Sequence, residues 1–139
     1  MSINSDFEKE CLATLKNYLD TINGLASGDL SFCVDCGEIF KTADGCDCSG
    51  DPLCCVEGLG GWASYEALDY EYIIDYSGNY RSCEVLLACG GPDVTIRTKY
   101  KEISLIWGNV RLSLPLSDEA AEEIDNYFEE PLSTEKRIK

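Results

Sequence analysis

The chain contains no histidine and only one methionine among its 139 residues, and its 11 Lys and Arg are outnumbered by 26 Asp and Glu. Each shortage excludes something. Without histidine, the commonest general acid–base of enzymes is missing, and so is the side chain that titrates nearest neutral pH. The scarcity of cations leaves a net charge of −15. Such a chain repels nucleic acid and acidic membrane surfaces and attracts basic partners. It has no run of about 18 apolar residues, so no membrane-spanning helix is expected. Nor does a basic stretch followed by an apolar run open the sequence, which predicts no secretory signal and a cytoplasmic location. A G-x-x-x-x-G-K-[ST] phosphate loop and a G-x-S-x-G elbow are both lacking, and no histidine can partner a cysteine. The expectation is a binding protein and not an enzyme.

What is present suits one domain spanning 1–139, since 45% of the residues are apolar and eight are tyrosine, too many for a disordered acidic tail. The acids are unevenly placed. Eight fall between Thr42 and Tyr80 and seven between Ser117 and Glu130, with no Lys or Arg in either stretch.

Ser5 followed by Glu8 has the spacing of a capping box. Phe7, Cys11, Leu15, Tyr18, Ile22 and Leu25 then recur at helical spacing, with Gly24 as a stop signal. Residues 27–61 are rich in cysteine, glycine and acids and read as a loop-rich insert or sub-domain. From Tyr65 the period becomes two. Leu68, Tyr70, Tyr72, Ile74 and Tyr76 alternate with Asp69, Glu71, Ile73 and Asp75, and Ser77-Gly78-Asn79 signals a hairpin. Strands follow over Tyr80–Cys89, Val94–Thr98, Glu102–Trp107 and Val110–Leu116, separated by Gly90-Gly91-Pro92-Asp93 and Gly108-Asn109. A closing helix capped by Ser117 runs to about Glu130, where Pro131 is expected to end it. The fold class is therefore α+β: an antiparallel meander of four to five strands, flanked by an N-terminal and a C-terminal helix, with a Cys-rich loop insert.

The nine cysteines invite a metal. Cys33-Val34-Asp35-Cys36-Gly37 has the form of a zinc knuckle, and Cys46, Cys48, Cys54 and Cys55 offer further thiolates for a structural zinc. Reduced thiols and facultative disulfides are the alternatives. A thioredoxin-like redox pair would need a helix N-terminus in a βαβ unit, which the neighbours do not suggest. Cys11, Cys83 and Cys89 fit small core positions.

The acidic surfaces are the second candidate site. Asp69, Glu71 and Asp75 on the first strand, and Asp118, Glu119, Glu122, Glu123, Asp125 and Glu129 on the last helix, lack interleaved cations. Carboxylates about 5–7 Å apart along an element approximate a phosphate backbone and would compete for the Lys/Arg groove of a nucleic-acid enzyme. Direct contact with nucleic acid is not expected. Plain solvation is the competing explanation. Arg97, Lys99 and Lys101 alternate, so on one strand they would share a face, which with the tyrosines could hold a small anionic signalling ligand.

The run from Tyr80 to Asp93, with Trp107-Gly108 and the ending Ile124-Asp125-Asn126-Tyr127-Phe128-Glu129-Glu130, resembles small acidic proteins of Firmicutes phages and integrative elements. These carry a GGPN turn between two strands and an IDEYFEE-like end. The resemblance covers about 68–130. Asp93 replaces the usual Asn, and the Cys-rich insert lies outside the pattern. It implies carriage by a mobile element, deployment in a host cytoplasm, and inhibition of host defence of the anti-CRISPR or anti-restriction type. The partner would be a basic surface such as that of a CRISPR effector or restriction enzyme. No residue roles carry over.

Overall fold

The period-two alternation after Ala67 becomes a five-stranded antiparallel meander in the computed structural model, which describes residues 5–34, 36–45 and 56–138. Its strands are β4 (Asp69–Ile74), β5 (Tyr80–Ala88), β6 (Asp93–Arg97), β7 (Glu102–Trp107) and β8 (Val110–Pro115), hydrogen-bonded in sequence order. Three strands precede them, β1 (Leu30–Cys33), β2 (Glu38–Lys41) and β3 (Val56–Glu57), forming a separate sheet in the order β2-β1-β3. Three helices complete the α+β fold: α1 (Ser5–Ser27), α2 (Leu59–Glu66) and α3 (Asp118–Ile138).

Alternation decides which face of the large sheet is covered. Val85, Val94, Ile96, Ile103 and Leu105 are fully buried on one face. They pack with Cys11, Leu15 and Ile22 of α1 and with Ala120, Ile124 and Phe128 of α3 in one continuous core. The residues between them form the open face. Register aligns Glu71, Glu84, Arg97, Glu102 and Pro115 in one cross-strand row. Beside it runs a second row of Asp69, Leu86, Thr95, Ser104 and Ser113.

Several sequence expectations are corrected. The 27–61 stretch is more than loop: it supplies β1, β2, β3 and the start of α2, and it buries Phe32, Cys33 and Leu59 completely. Glycine-rich composition concealed α2. The glycines serve close approach, because a Cβ on Gly60 would lie 2.4 Å from Cβ of Tyr127 on α3. Gly24 does not stop α1. It lies under Leu30, whose Cδ1 would be 2.4 Å from a Cβ there, and the helix runs on to Gly28 at φ +87°. Pro131 does not stop α3 either: the helix continues through it to Ile138. Cys11 and Cys83 are core residues as expected, whereas Cys89 lies past the end of β5 and is exposed. The side chain of Ser5, proposed as a cap, lies outside the described residues.

Arg97, Lys99 and Lys101 do not share a strand face. β6 ends at Arg97, and the chain turns through 98–101 with Lys101 in the left-handed region at φ 51°. Thr98 holds this turn to β5. Its Oγ1 accepts the Cys83 N–H at 2.9 Å and donates to the Cys83 carbonyl at 3.2 Å, both buried. Thr98→Val keeps the shape and removes the acceptor, leaving the Cys83 N–H unpaired. It is expected to lower unfolding stability by about 1–3 kcal/mol, seen as a reduced urea midpoint at an unchanged slope.

Candidate acidic interface

Ser117 starts α3 by accepting the Ala120 N–H on its Oγ at 3.1 Å, the N-cap arrangement expected from the sequence. The helix then presents two faces. Ala120, Ala121, Ile124 and Phe128 turn inward and are buried. Asp118, Glu122, Asp125 and Glu129, spaced i, i+4, i+7 and i+11, line a cleft of about 430 Å³ against Tyr80, Arg81 and Lys101. Twelve residues of helix, from Asp118 to Glu129, carry these four carboxylates over about 16 Å.

The cleft is graded in charge. Lys101 Nζ meets Asp118 Oδ1 at 2.8 Å at the helix N-terminus. That pair lowers the Asp118 pKa and raises the Lys101 pKa, in each case chiefly through the hydrogen bond between them. Arg81, at the cleft wall, pairs with Asp75 at 3.1 Å. Deeper in, the Tyr80 hydroxyl donates to Asp125 Oδ1 at 2.6 Å. Burial first, and then this hydrogen bond, hold the Tyr80 phenol far above its usual range, so it stays a donor. Among the described residues Glu119, Glu122 and Glu129 form no ion pair, which leaves the stretch of α3 between them negative.

Two further carboxylates expected at the partner surface also have structural partners. Glu123 Oε2 accepts the Leu59 N–H at 2.7 Å and thereby satisfies the first N–H of α2, which its N-cap residue Gly58 cannot do with a side chain. Asp75 Oδ1 accepts the N–H groups of Asn79 (2.9 Å) and Ser77 (3.0 Å), which closes the β4–β5 turn. Asp69 and Glu71 stand apart from the α3 cleft, on the open face of β4.

Of the predicted zinc ligands, Cys33 ends β1 and is buried, and Cys36 sits in the turn of the β1–β2 hairpin. The Gly37 N–H donates to the Cys33 carbonyl at 2.8 Å, with Gly37 at φ +72°. Cys46, Cys48, Cys54 and Cys55 lie outside the described residues. Among the described residues no three His, Cys, Asp or Glu side chains gather as a metal site. Burial is the main effect raising the pKa of both Cys83 and Cys11, which keeps them as thiols.

The expected basic stripe is dispersed. Arg97 faces Glu84 at 3.6 Å and donates to Ser104 Oγ at 3.0 Å, while Lys101 serves Asp118. An anionic-ligand site on that stripe therefore loses its basis. Sequence reading missed a second cleft, of about 380 Å³, between α1, β2 and α2, lined by Tyr18, Thr14, Trp62 and Glu66. It joins segments far apart in the chain and has no local signature. Burial, then the nearby Glu66, raise the Tyr18 pKa there.

No family model, curated protein or solved structure matches the chain. Among the described residues no helix is long and apolar enough to cross a membrane.

Asp75 gives a pH dependence of defined sign. Its pKa is lowered, first by the Asn79 backbone N–H and then also by Ser77 and Arg81. The ionised form therefore stabilises the fold above the unfolded-state pKa, and that stabilisation is lost as pH falls through the folded-state value. Wild-type stability should decline below about pH 4. Asp75→Ala should be less stable at pH 7 and decline more shallowly, as checked by urea denaturation at neutral and acidic pH. Parallel declines would remove Asp75 as the source.

Proposed function

We propose that the protein is a non-enzymatic inhibitor, carried by a mobile element, that binds a host nucleic-acid-targeting defence complex such as a CRISPR effector or restriction enzyme. The carboxylates of α3 substitute for a phosphate backbone in the partner's basic groove. The observation that carries this reading is the single helical row of Asp118, Glu122, Asp125 and Glu129 along one cleft, with Glu122 and Glu129 outside any ion pair among the described residues. Glu119 lies one helical step away and is exposed. A network internal to the cleft also supports the reading. Tyr80 fixes Asp125 in place, so part of the row is pre-ordered before a partner arrives.

The test is affinity capture from cells carrying defence systems, followed by binding measurements on the captured partner over a range of salt. Binding should weaken steeply with salt and compete with nucleic acid, and the protein itself should not bind DNA. Glu119→Lys, Glu122→Lys and Glu129→Lys together should weaken binding by more than about tenfold. Unchanged affinity in that triple variant rejects the α3 reading. Glu123 is left intact because its reversal would uncap α2.

A zinc-stabilised adaptor module is the second reading, favoured by the hairpin that joins Cys33 to Cys36 with Gly37 in the left-handed region. Two of Cys46, Cys48, Cys54 and Cys55 would complete the tetrahedron. Protein purified without chelator should contain one zinc per chain by elemental analysis, lost in Cys33→Ser/Cys36→Ser. Absence of stoichiometric zinc ends this reading.

A further inference from the structure

We propose that the free edge of β4 is a docking site for an extended segment of a partner protein in which basic and apolar residues alternate, added as a sixth strand of the large sheet. β4 is the first strand in the order β4-β5-β6-β7-β8, so its outer backbone groups face no strand of that sheet. Edges of this kind are usually blunted by Lys, Pro or a cover. Asp69–Ile74 contains neither Lys nor Pro. Large apolar side chains are exposed along and beside it: Leu68 at 60%, Tyr70 at 45%, Ile74 at 51% and Tyr76 fully.

The two sides of the edge differ in chemistry, and the difference specifies the occupant. On the helix side, Tyr70 and Tyr72 stand opposite Val85 and Cys83. Tyr70 packs against Phe128 with ring centres 5.3 Å apart and against Tyr72 at 5.6 Å, which forms an aromatic shelf. On the open side, Asp69 and Glu71 stand opposite Leu86 and Glu84. Glu71 therefore faces a like charge, and the only cation of that row, Arg97, lies on the far side of Glu84. A new strand would set one set of alternate residues on the shelf and the other beside Asp69 and Glu71. Apolar residues fit the first set and lysine or arginine the second.

The same charges argue against a second copy as occupant. A two-fold antiparallel pairing of β4 with itself keeps the open faces continuous, so Asp69 and Glu71 would meet each other's carboxylates. Cross-strand like charges oppose that pairing.

This surface is independent of the α3 cleft, and the experiment separates the two. A short synthetic peptide of alternating lysine and valine is added to the full chain, and amide hydrogen exchange is followed. Exchange should slow across 69–74, because outward amides gain hydrogen bonds to the peptide and the Tyr70 N–H exchanges its 2.9 Å bond to Asp69 Oδ1 for a strand bond. A peptide alternating glutamate and valine should leave exchange unchanged. Asp69→Lys/Glu71→Lys should weaken binding of the lysine peptide by about tenfold or more, and Glu122→Lys/Glu129→Lys by less than about twofold. The proposal is overturned if protection appears on α3 and not on β4, if both peptides bind alike, or if the Asp69/Glu71 variant retains affinity. It is likewise overturned if β4 protection appears without peptide as the chain concentration rises, which would identify a dimer edge.

Discussion

One-sided burial of the five-stranded sheet is the constraint from which the rest follows. Successive residues of a strand point to opposite faces, so covering one face with α1 and α3 gives every second side chain to the core and every other one to solvent. Val85, Val94, Ile96, Ile103 and Leu105 take the covered side and need no polar partners. Each covered core side chain contributes about 1.5–3 kcal/mol relative to exposure. The open side then has to be soluble, and it carries Glu71, Glu84, Arg97 and Glu102 in one row. Helix placement follows from the same division, because the inward stripe of α3 fixes which carboxylates face out. The acidic cleft is in that sense the reverse side of the core.

Charge is arranged within this frame and not spread evenly. Three of the 11 cations have defined tasks: Arg81 with Asp75 at the β4–β5 turn, Arg97 with Glu84 on the sheet, Lys101 with Asp118 where α3 begins. All three pairs are at least partly exposed, so each contributes little to stability, and their effect is chiefly on where negative charge is left over. It remains on the middle of α3 and on the outer edge of β4. These two surfaces differ in kind. The first is a row of side chains on a rigid helix. At the second, backbone groups face no neighbouring strand, although the Tyr70 N–H is held by Asp69 Oδ1 at 2.9 Å, and they are flanked by carboxylates on one side and aromatic rings on the other.

The meander was legible because its signals are local: period-two apolar residues, Ser77-Gly78-Asn79 and Gly108-Asn109 at turns, and Ser117 before a helical stripe. Gly108 does adopt the left-handed conformation its turn requires, at φ +61°. The small sheet and α2 were not legible, because a stretch dense in glycine and cysteine has neither period. Its helix exists through contacts with Tyr127 and Glu123, more than sixty positions away in sequence. The acids were legible as a set but not by role. Only coordinates separate Glu123, which satisfies a backbone N–H, from Glu122 one residue earlier, which lines the cleft. Arg97, Lys99 and Lys101 misled for the opposite reason: their spacing matched a strand that ends at the first of them.

The bond from Leu59 to Glu123 closes a span of 64 residues, and its significance extends to the order of assembly. During synthesis α2 emerges well before α3 exists, so its first N–H has no side-chain acceptor until the last helix has been made. The meander between them consists of consecutive hairpins and can zip from neighbour to neighbour, whereas this closure is among the most non-local in the chain. The final helix therefore acts as a latch. In the folded chain its apolar stripe completes the core, its Glu123 secures the glycine-rich segment, and its outer side carries the carboxylate row, so one helix ties stability and acidic surface together.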